Sequence, residues 1–487
     1  MTKPLERRTF LGASLAAAAA AVAFSPETRA WGSPGPGTIS IPHLDGQLLS
    51  DPATLALAGD DFGHIVHKSP NAVLVPGSVD DIVRAVKFAR QHGIKIGGAR
   101  GLGDGQSHST QGQAQVQAGI LIDMSALNTI HEINAGDALV DAGVRWINLL
   151  QATVPLGKSP PTLTDYIELS VGGTLSVGGI GGQAFRHGLQ VDNVIELDVV
   201  TGKGELVNCS ATKHPLLFNS VRGGLGQFGI IVRARVKIVP VAPMVRVYAA
   251  SYSDIVVFTA DQLAVINDGR FDYVEGSAAP NGSGGWTYSL DAAKYFAPAS
   301  PPNDAALLAG LSFTPGTQTH ADSTYFDFAN RLAPTVAFLK SIGAWGLPHP
   351  WVDVFLPSGI APSFVQGVLD DATLNEVNQG PVLLYPVKRD AVKTPFVRVP
   401  DGPRFFLFDL LRNAIPPIPP KIDQLVAANR VIYDDCVAVG GKRYPIDSVP
   451  MSHADWQAHF SPLWILFVLA KIEFDPDNIL APGQGIF

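Results

Sequence analysis

One segment places a single histidine inside a glycine-rich loop, IGGARGLGDGQSHSTQGQ at residues 96–113. The glycines at Gly101, Gly103 and Gly105 allow close approaches that a Cβ would block, so backbone N–H groups there can reach an anionic ligand. His108 adds a nucleophilic ring nitrogen at the rim. We interpret the loop as a cofactor site, with the hypothesis that His108 carries a covalently attached flavin. A polar surface turn with an incidental histidine is the alternative.

A second glycine-rich run, VGGTLSVGGIGG at residues 171–182, follows soon after. Its backbone donors and neighbouring hydroxyls suit a pyrophosphate. The candidate contacts are Ser170, Gly172, Gly173, Ser176 and Gly179. No glycine stands two residues before Ser176, so the run is not a nucleophile elbow and gives a hydrolase no support.

Two acidic residues could handle a proton beside such a cofactor. Asp165 lies just before the second glycine run, where a carboxylate can take a proton from an amine while hydride leaves the adjacent carbon. The alternative is that Asp165 only caps a turn. Glu275 lies in FDYVEGS at residues 271–277, which alternates like a strand, and by itself this pattern describes a solvated strand residue.

A third glycine motif, GLGQFG at residues 224–229, matches the dinucleotide fingerprint letter for letter. It follows a helix-like stretch and runs into a strand, whereas a Rossmann loop leaves a strand and opens a helix. The motif therefore does not support a nicotinamide site. Its glycines can line a flavin, or serve loop packing alone.

Metal and disulfide chemistry have little support. His64 and His67 are three residues apart without further ligands at suitable spacing, so we predict no metal site. The two cysteines, Cys209 and Cys436, are too few for a disulfide framework or a thiolate cluster, and we interpret both as buried thiols.

The elements around these motifs are legible from about residue 71. A strand over 72–76 precedes a helix that is capped by Ser78 and ends at Gly93. Strands over 94–97 and 119–124 lead into and out of the glycine loop. Further predicted elements are a strand over 138–144, a helix over 146–153, a hairpin over 194–207 and a strand over 230–239. This pattern predicts a mixed α+β first domain.

The length and the charge of the chain indicate how many domains it has and which partners it suits. The 487 residues exceed the roughly 250–300 that one core supports, so we expect two packed domains. The chain is 46% hydrophobic and 16% charged, with a net charge of −8 and no basic run beyond the N-terminus. This balance argues against a nucleic acid or an anionic membrane surface as partner and favours a small-molecule substrate.

The first residues have the pattern of an export signal. Arg7 and Arg8 precede an apolar run over 13–24, and Ala30 ends a segment typical of signal cleavage. We predict a twin-arginine signal peptide over 1–30 and a periplasmic or secreted protein, with an uncleaved anchor as the alternative. No later stretch has the roughly 20 apolar residues that a membrane span requires.

Several motifs in order resemble the cytokinin dehydrogenases, flavoenzymes of the vanillyl-alcohol oxidase class, from about residue 60 to the C-terminus. They are HSTQGQ (108–113), WI (146–147), TDY (164–166), VGGTLS (171–176), GQAFRHG (182–188), GGLGQFG (223–229), HPW (349–351), LYP (384–386) and PGQGIF (482–487).

The resemblance implies an α+β, two-domain vanillyl-alcohol-oxidase-like fold. Its PCMH-type FAD-binding domain would span 60–243 and its α+β substrate domain 244–440, with a C-terminal segment, 441–487, that returns to the FAD domain.

The resemblance also implies the chemistry. His108 would carry FAD covalently, Asp165 would take a proton from the substrate's side-chain nitrogen, and Glu275 would hydrogen-bond the substrate. An N6-substituted adenine would lose hydride to the flavin, and water would cleave the resulting imine to adenine and an aldehyde. Further FAD contacts would be Ser109, Gln113, Ser170, Ser176, Ile180, Ile231 and Gln484.

One departure leaves an alternative open. The family loop is typically Arg-Gly-x-Gly-His-Ser, whereas here extra residues separate Gly103 from His108, and Ser107 stands where a glycine is usual. FAD bound without a covalent link is therefore the alternative. An oxidase of an alcohol or another small metabolite, and a flavin-binding protein without turnover, are the alternative functions. The electron acceptor, oxygen or a quinone, is not indicated.

Overall fold

The computed structural model describes residues 24–25, 30–31, 39–98, 100–102, 108–371, 373–374, 376 and 380–487. Most of the predicted signal peptide, and both Gly103 and Gly105, lie outside the described residues. None of the helices among these residues has the length and apolar character of a membrane span. The α-helices are Pro52–Ala58, Val79–His92, Trp146–Thr153, Val171–Val177, Ala184–His187, Pro215–Val221, Ile255–Asp268, Asp304–Leu308, Tyr325–Ala329, Ala333–Ser341, Ala361–Asp370, Pro419–Ala438, His453–Phe460 and Trp464–Phe474.

The predicted first strand, the helix that follows it and the strand that leaves the glycine loop are confirmed. Ala72–Val75 and Ile120–Ile122 pair in parallel, with the helix Val79–His92 between them in the chain. Ser78 Oγ accepts the Asp81 N–H at 3.3 Å and so caps the helix. Gly93 ends it in the left-handed conformation, at φ 64°.

The predicted strand over 94–97 is wrong. Ile96 forms only isolated bridges, one to Ile120 and one to Leu480. The following residues, Gly97 and Gly98, approach Ala114 so closely that an added Cβ would lie 3.0 Å from its atoms. The chain there is therefore held by close backbone packing and does not extend as a regular strand.

A five-stranded antiparallel sheet completes the first half of the chain. Its order is Leu206–Ser210, Val194–Thr201, Gly229–Lys237, Asp137–Asp141 and Ile130–Ile133. The predicted hairpin and the predicted helix over 146–153 are both confirmed. The GLGQFG motif lies between the helix Pro215–Val221 and the strand Gly229–Lys237, the reversed context that the sequence indicates.

The second half is built on an eight-stranded sheet. Its order is Thr319–Thr324, Met244–Tyr252, Trp286–Phe296, Tyr273–Pro280, Val382–Lys388, Arg404–Leu410, Val352–Pro357 and Lys442–Arg443. The helices Ile255–Asp268, Ala361–Asp370 and Pro419–Ala438 contribute buried side chains to the core on this sheet. The short strands are Phe24–Ser25, Ala30–Trp31, Ile39–Ser40, Gln47–Leu49, Lys158–Ser159 and Val239–Pro240. Helices and sheets are thus mixed, as the α+β prediction requires.

The C-terminal residues pack onto the first half of the chain. Leu480 bridges Ile96, and Gln227 Nε2 donates to the Ala481 carbonyl at 3.0 Å. The buried Lys471 ammonium lies 2.7 Å from Asp475, which fixes the turn that follows the last helix. Cys209 and Cys436 are free and buried, as predicted.

Candidate active site

One cavity of about 670 Å³ lies between the glycine-rich segments and a face of the eight-stranded sheet. Its size is within the usual range for cofactor and substrate sites. The predicted residues that line it are His108, Ser109, Gln113, Asp165, Ser170, Gly172, Gly173, Ser176, Gly179, Ile180, Ile231, Glu275 and Gln484. Gly101 is buried but does not line the cavity, because its segment pairs with Asp123 through Arg100.

His108 stands in an aromatic stack at the wall of this cavity. Its ring lies between Phe62 and Tyr166, with centroids 4.7 and 4.8 Å away, and Trp351 meets it edge-on at 5.3 Å. Burial, with a smaller contribution from His349, lowers the pKa of His108 to about 3. The imidazole is therefore neutral at physiological pH, with a lone pair on one nitrogen.

The Nε2 atom of His108 is buried and has no hydrogen-bond partner within the described part of the chain. A buried polar atom of this kind is costly unless something satisfies it. A bond or contact to a cofactor in the cavity would do so, and the residue thus fits the group that the sequence indicates.

A hydrogen-bonded group secures the segment after His108. Ser109 Oγ lies 2.6 Å from Gln113 Oε1 and 2.9 Å from Asp61 Oδ2. Asp61 also accepts the Gly112 N–H at 2.7 Å, and Gln113 Nε2 donates to the Asp447 carbonyl at 2.8 Å. Burial raises the pKa of Asp61 against these hydrogen bonds. Asp61 was not indicated by the sequence.

The second glycine run differs from a loop of free donors. Its first part is the helix Val171–Val177, whose N-terminal Ser170 Oγ accepts the Gly173 N–H at 3.3 Å. The Gly172 N–H donates to the Ala142 carbonyl at 2.8 Å. One donor is therefore used by the cap of the helix itself, and the other by the residue that follows the strand Asp137–Asp141.

The glycines of the run leave room for a ligand at the cavity wall. A Cβ added to Gly173 would meet only Ser170 Oγ within 4 Å, so this glycine leaves the cavity wall open. Gly226 from the third motif has φ 72° and lies close to Ala481 on the same cavity wall. Such a wall lets a large planar or phosphorylated group approach the backbone.

Asp165 is held by two side chains that the sequence did not indicate. The Tyr273 hydroxyl donates to Asp165 Oδ1 at 3.0 Å, and the Arg331 guanidinium contacts both of these side chains. Arg331 Nη2 also lies 3.6 Å from Glu275 Oε2. The four residues Asp165, Tyr273, Glu275 and Arg331 form what we call the acid cluster.

Glu275 is buried, with 7% of its surface exposed, so the solvated reading of its strand is wrong. Its face of the sheet covers the cavity and not solvent. Burial, and then the charge of Asp165, raise the pKa of Glu275 well above its usual value, against the attraction of Arg331. Its Oε1 has no hydrogen-bond partner among the described residues.

Strand alternation could have found one of the missed residues. Tyr273 stands two positions before Glu275 on the same strand, so both side chains share a face. Arg331 follows a short helix and precedes another, and no local pattern marks it. Among the described residues, no group of histidine, cysteine and acidic side chains could hold a metal ion.

This arrangement can position a substrate nitrogen between two acidic side chains in different surroundings. Arg331 contacts Asp165 directly and lies farther from Glu275, whose burial favours the protonated form. Paired acids in such different surroundings typically divide the roles of base and hydrogen-bond donor.

Two family models match the chain. The model described as cytokinin dehydrogenase 1, FAD and cytokinin binding, matches residues 277–487, and an FAD binding domain model matches residues 70–210. Cytokinin dehydrogenase 6 of Oryza sativa subsp. japonica is 35% identical over 93% of each chain. Cytokinin dehydrogenase 4 of Arabidopsis thaliana is 35% identical over 90% of this chain and 92% of its own.

A bacterial relative and a solved structure extend the comparison. The uncharacterised oxidoreductase ORF5 in the fasciation locus of Rhodococcoides fascians is 40% identical, covering 90% of this chain and 99% of its own. The crystal structure of 6-hydroxy-D-nicotine oxidase from Arthrobacter nicotinovorans superposes with a TM-score of 0.67 at 20% identity, covering 91% of this chain and 98% of that one. This last likeness concerns the fold. The chain therefore belongs to the cytokinin dehydrogenase family and is an FAD-dependent oxidoreductase.

Proposed function

We propose that the protein oxidises the C–N bond of an N6-substituted adenine. The observation that carries this proposal is the acid cluster, which brings Asp165 and Glu275 together at the wall of the cavity. Two acids around one arginine suit an amine nitrogen better than an alcohol, because an amine N–H and a ring nitrogen need both an acceptor and a donor. The named relatives support the substrate class.

FAD, when bound, would accept the hydride from the carbon next to the substrate nitrogen. Asp165 would take the proton from that nitrogen, and Tyr273 and Arg331 hold the carboxylate in place for it. Glu275 would donate a hydrogen bond to the substrate through its protonated carboxyl group. The product is an imine, which water then cleaves to adenine and an aldehyde.

We propose further that His108 carries FAD through a covalent bond. Its neutral ring, its buried Nε2 without a partner and its place in the cavity wall support this attachment. The residues that would hold the rest of the cofactor are those of the three glycine segments and Gln484.

The test is anaerobic reduction of the FAD-loaded protein by isopentenyladenine, followed through the visible flavin spectrum. We expect bleaching in the unaltered protein, and slowing by about 10²–10⁴-fold in Asp165→Asn, because general base catalysis contributes on this order. Asp198→Asn removes a carboxylate outside the cavity and serves as the control. An unbleached flavin in the unaltered protein would contradict the proposal, and bleaching by an alcohol would favour an alcohol oxidase.

A further inference from the structure

A second pair of carboxyl groups lies in the same cavity, apart from the acid cluster. Asp353 on Val352–Pro357 stands directly opposite Asp409 on Arg404–Leu410. Both line the cavity, with 1% and 7% of their surface exposed. Cross-strand partners have Cβ atoms roughly 4.5–5.5 Å apart, so the two carboxyl groups can touch.

Three oxygen atoms of this pair lack partners outside the pair in the described part of the chain. Both Oδ atoms of Asp353, and Oδ1 of Asp409, are buried without a hydrogen bond from any described residue outside the pair. Burying such groups is costly unless their bonds are completed. A hydrogen bond between the two carboxyl groups satisfies two of these oxygens. The acceptor that remains beside the cavity points to a bound molecule that completes it.

The pair holds a proton at neutral pH. Burial raises the pKa of Asp353 well above its usual value, with the Asp409 and Asp447 carboxyls adding to the shift and Arg443 opposing it. Burial likewise raises the pKa of Asp409 to about 7, against a hydrogen bond with Asp353 and with smaller contributions from Asp165 and Asp447. A carboxyl O–H shared between the two side chains, beside a further acceptor oxygen, matches a hydroxyl group, which both accepts and donates.

The sheet register places the pair at a defined distance from the acid cluster. Ser277, Leu383 and Asp409 stand side by side on neighbouring strands, and Glu275 lies two residues before Ser277. From the usual strand spacing and rise, the Cα atoms of Glu275 and Asp409 are roughly 12 Å apart on the same face of the sheet. One extended substrate can therefore reach from the acid cluster to the pair.

The direction of the substrate follows from the other side of the acid cluster. Arg331 leads directly into the helix Ala333–Ser341, whose Val336 and Leu339 line the cavity and whose Thr335 is exposed there. This apolar, solvent-connected side suits a planar ring. The substituent on the nitrogen then points the other way, to the pair.

The flavin is the other molecule that could meet the pair. Trp351, two residues before Asp353, is in contact with His108. We assign the pair to the substrate because it shares a sheet face and the cavity with Glu275, which would bind the substrate.

We propose, on the basis of the proposed function, that Asp353 and Asp409 are a specificity-determining pair that binds a terminal hydroxyl on the substrate's N6 side chain. The protein accordingly prefers a hydroxylated side chain to the plain hydrocarbon. A buried site built to hydrogen-bond a hydroxyl rejects the analogue that lacks it, because its own polar groups are left unpaired.

The experiment compares anaerobic flavin reduction by isopentenyladenine and by its terminally hydroxylated counterpart in the full-length, FAD-loaded protein. We expect the second-order rate constant of flavin reduction for the hydroxylated compound to exceed that for the other by about 10-fold or more, the scale of one good hydrogen bond to a charged or buried partner. In Asp353→Leu/Asp409→Leu the ratio approaches or falls below 1, since the partners are then apolar. Asp198→Asn keeps the original ratio.

Asp409→Asn is a milder second variant that retains a polar side chain, and it should lower the ratio. If the two compounds reduce the flavin of the unaltered protein at nearly equal rates, the pair does not have the proposed role. Bleaching of the flavin by both compounds would still support the proposed function. An unchanged ratio in both variants also overturns the pair's role. If neither compound bleaches the unaltered protein, the proposed function fails and the hydroxylated ligand fails with it.

Discussion

At the scale of single residues, the surroundings decide the chemistry of each group. His108 is one of 12 histidines, yet it alone lies between Phe62 and Tyr166 with its Nε2 buried and unpartnered among the described residues. Burial keeps its ring neutral, and a neutral ring is the form that can bond to an electrophilic carbon.

His108→Ala tests the attachment at this scale. Denaturing the unaltered protein in acid should leave yellow flavin in the pellet, because a covalent bond survives unfolding. In the variant the flavin should pass into the supernatant. His92→Ala, which alters a histidine at the end of a helix away from the cavity, should behave like the unaltered protein. Free flavin from the unaltered protein would show that FAD is bound without a covalent bond.

At the scale of elements, local sequence explains where helices begin and end, but not what they face. Ser78 and Gly93 bound their helix as the capping pattern predicts. Ser170 caps the helix Val171–Val177 in the same way, yet that helix supplies an open wall instead of the free donors expected from its glycines. The difference arises because Gly172 bonds to Ala142, a residue distant in sequence.

Gly173→Val tests whether this wall accommodates the cofactor. The valine side chain would project into the cavity, since only Ser170 Oγ lies near the new Cβ. We expect a lower ratio of flavin to protein absorbance after purification, with the protein still folded. Gly136→Val, at an exposed turn with open space around it, is the matched control. Equal flavin content in both variants would argue against cofactor contact at Gly173.

At the scale of the whole molecule, the two halves jointly bury several acids around one cavity. Asp409 has its pKa raised to about 7 by burial, from an ordinary value near 4. Between these values Asp409 is more protonated in the folded protein than in the unfolded chain. Its contribution to the free energy of unfolding therefore falls as pH rises through this window.

The double variant Asp353→Asn/Asp409→Asn should weaken this decrease in the free energy of unfolding with rising pH. We expect the Tm of the unaltered protein, relative to the variant, to decline as pH rises from about 4 to about 7, because the variant no longer carries the two buried carboxyls. Asp447, Asp291 and Glu275, whose pKa values burial also raises, remain in both proteins, so the difference isolates the pair. Parallel Tm curves across this range would contradict the raised pKa values.

The sequence by itself determined the α+β class, the main caps and hairpin, the family, and the identities of His108, Asp165 and Glu275 as candidates. These follow from short-range patterns that are legible over a few residues. The sequence could not show that Arg331 contacts Asp165, because the two residues are 166 positions apart. It also could not predict that Glu275 is buried.

Only the tertiary structure decided these contacts and placed Asp353 opposite Asp409. The reason is that strand register, and the packing of one half of the chain on the other, determine which distant side chains meet. Burial, the main source of the shifted pKa values, is likewise a property of the assembled cavity.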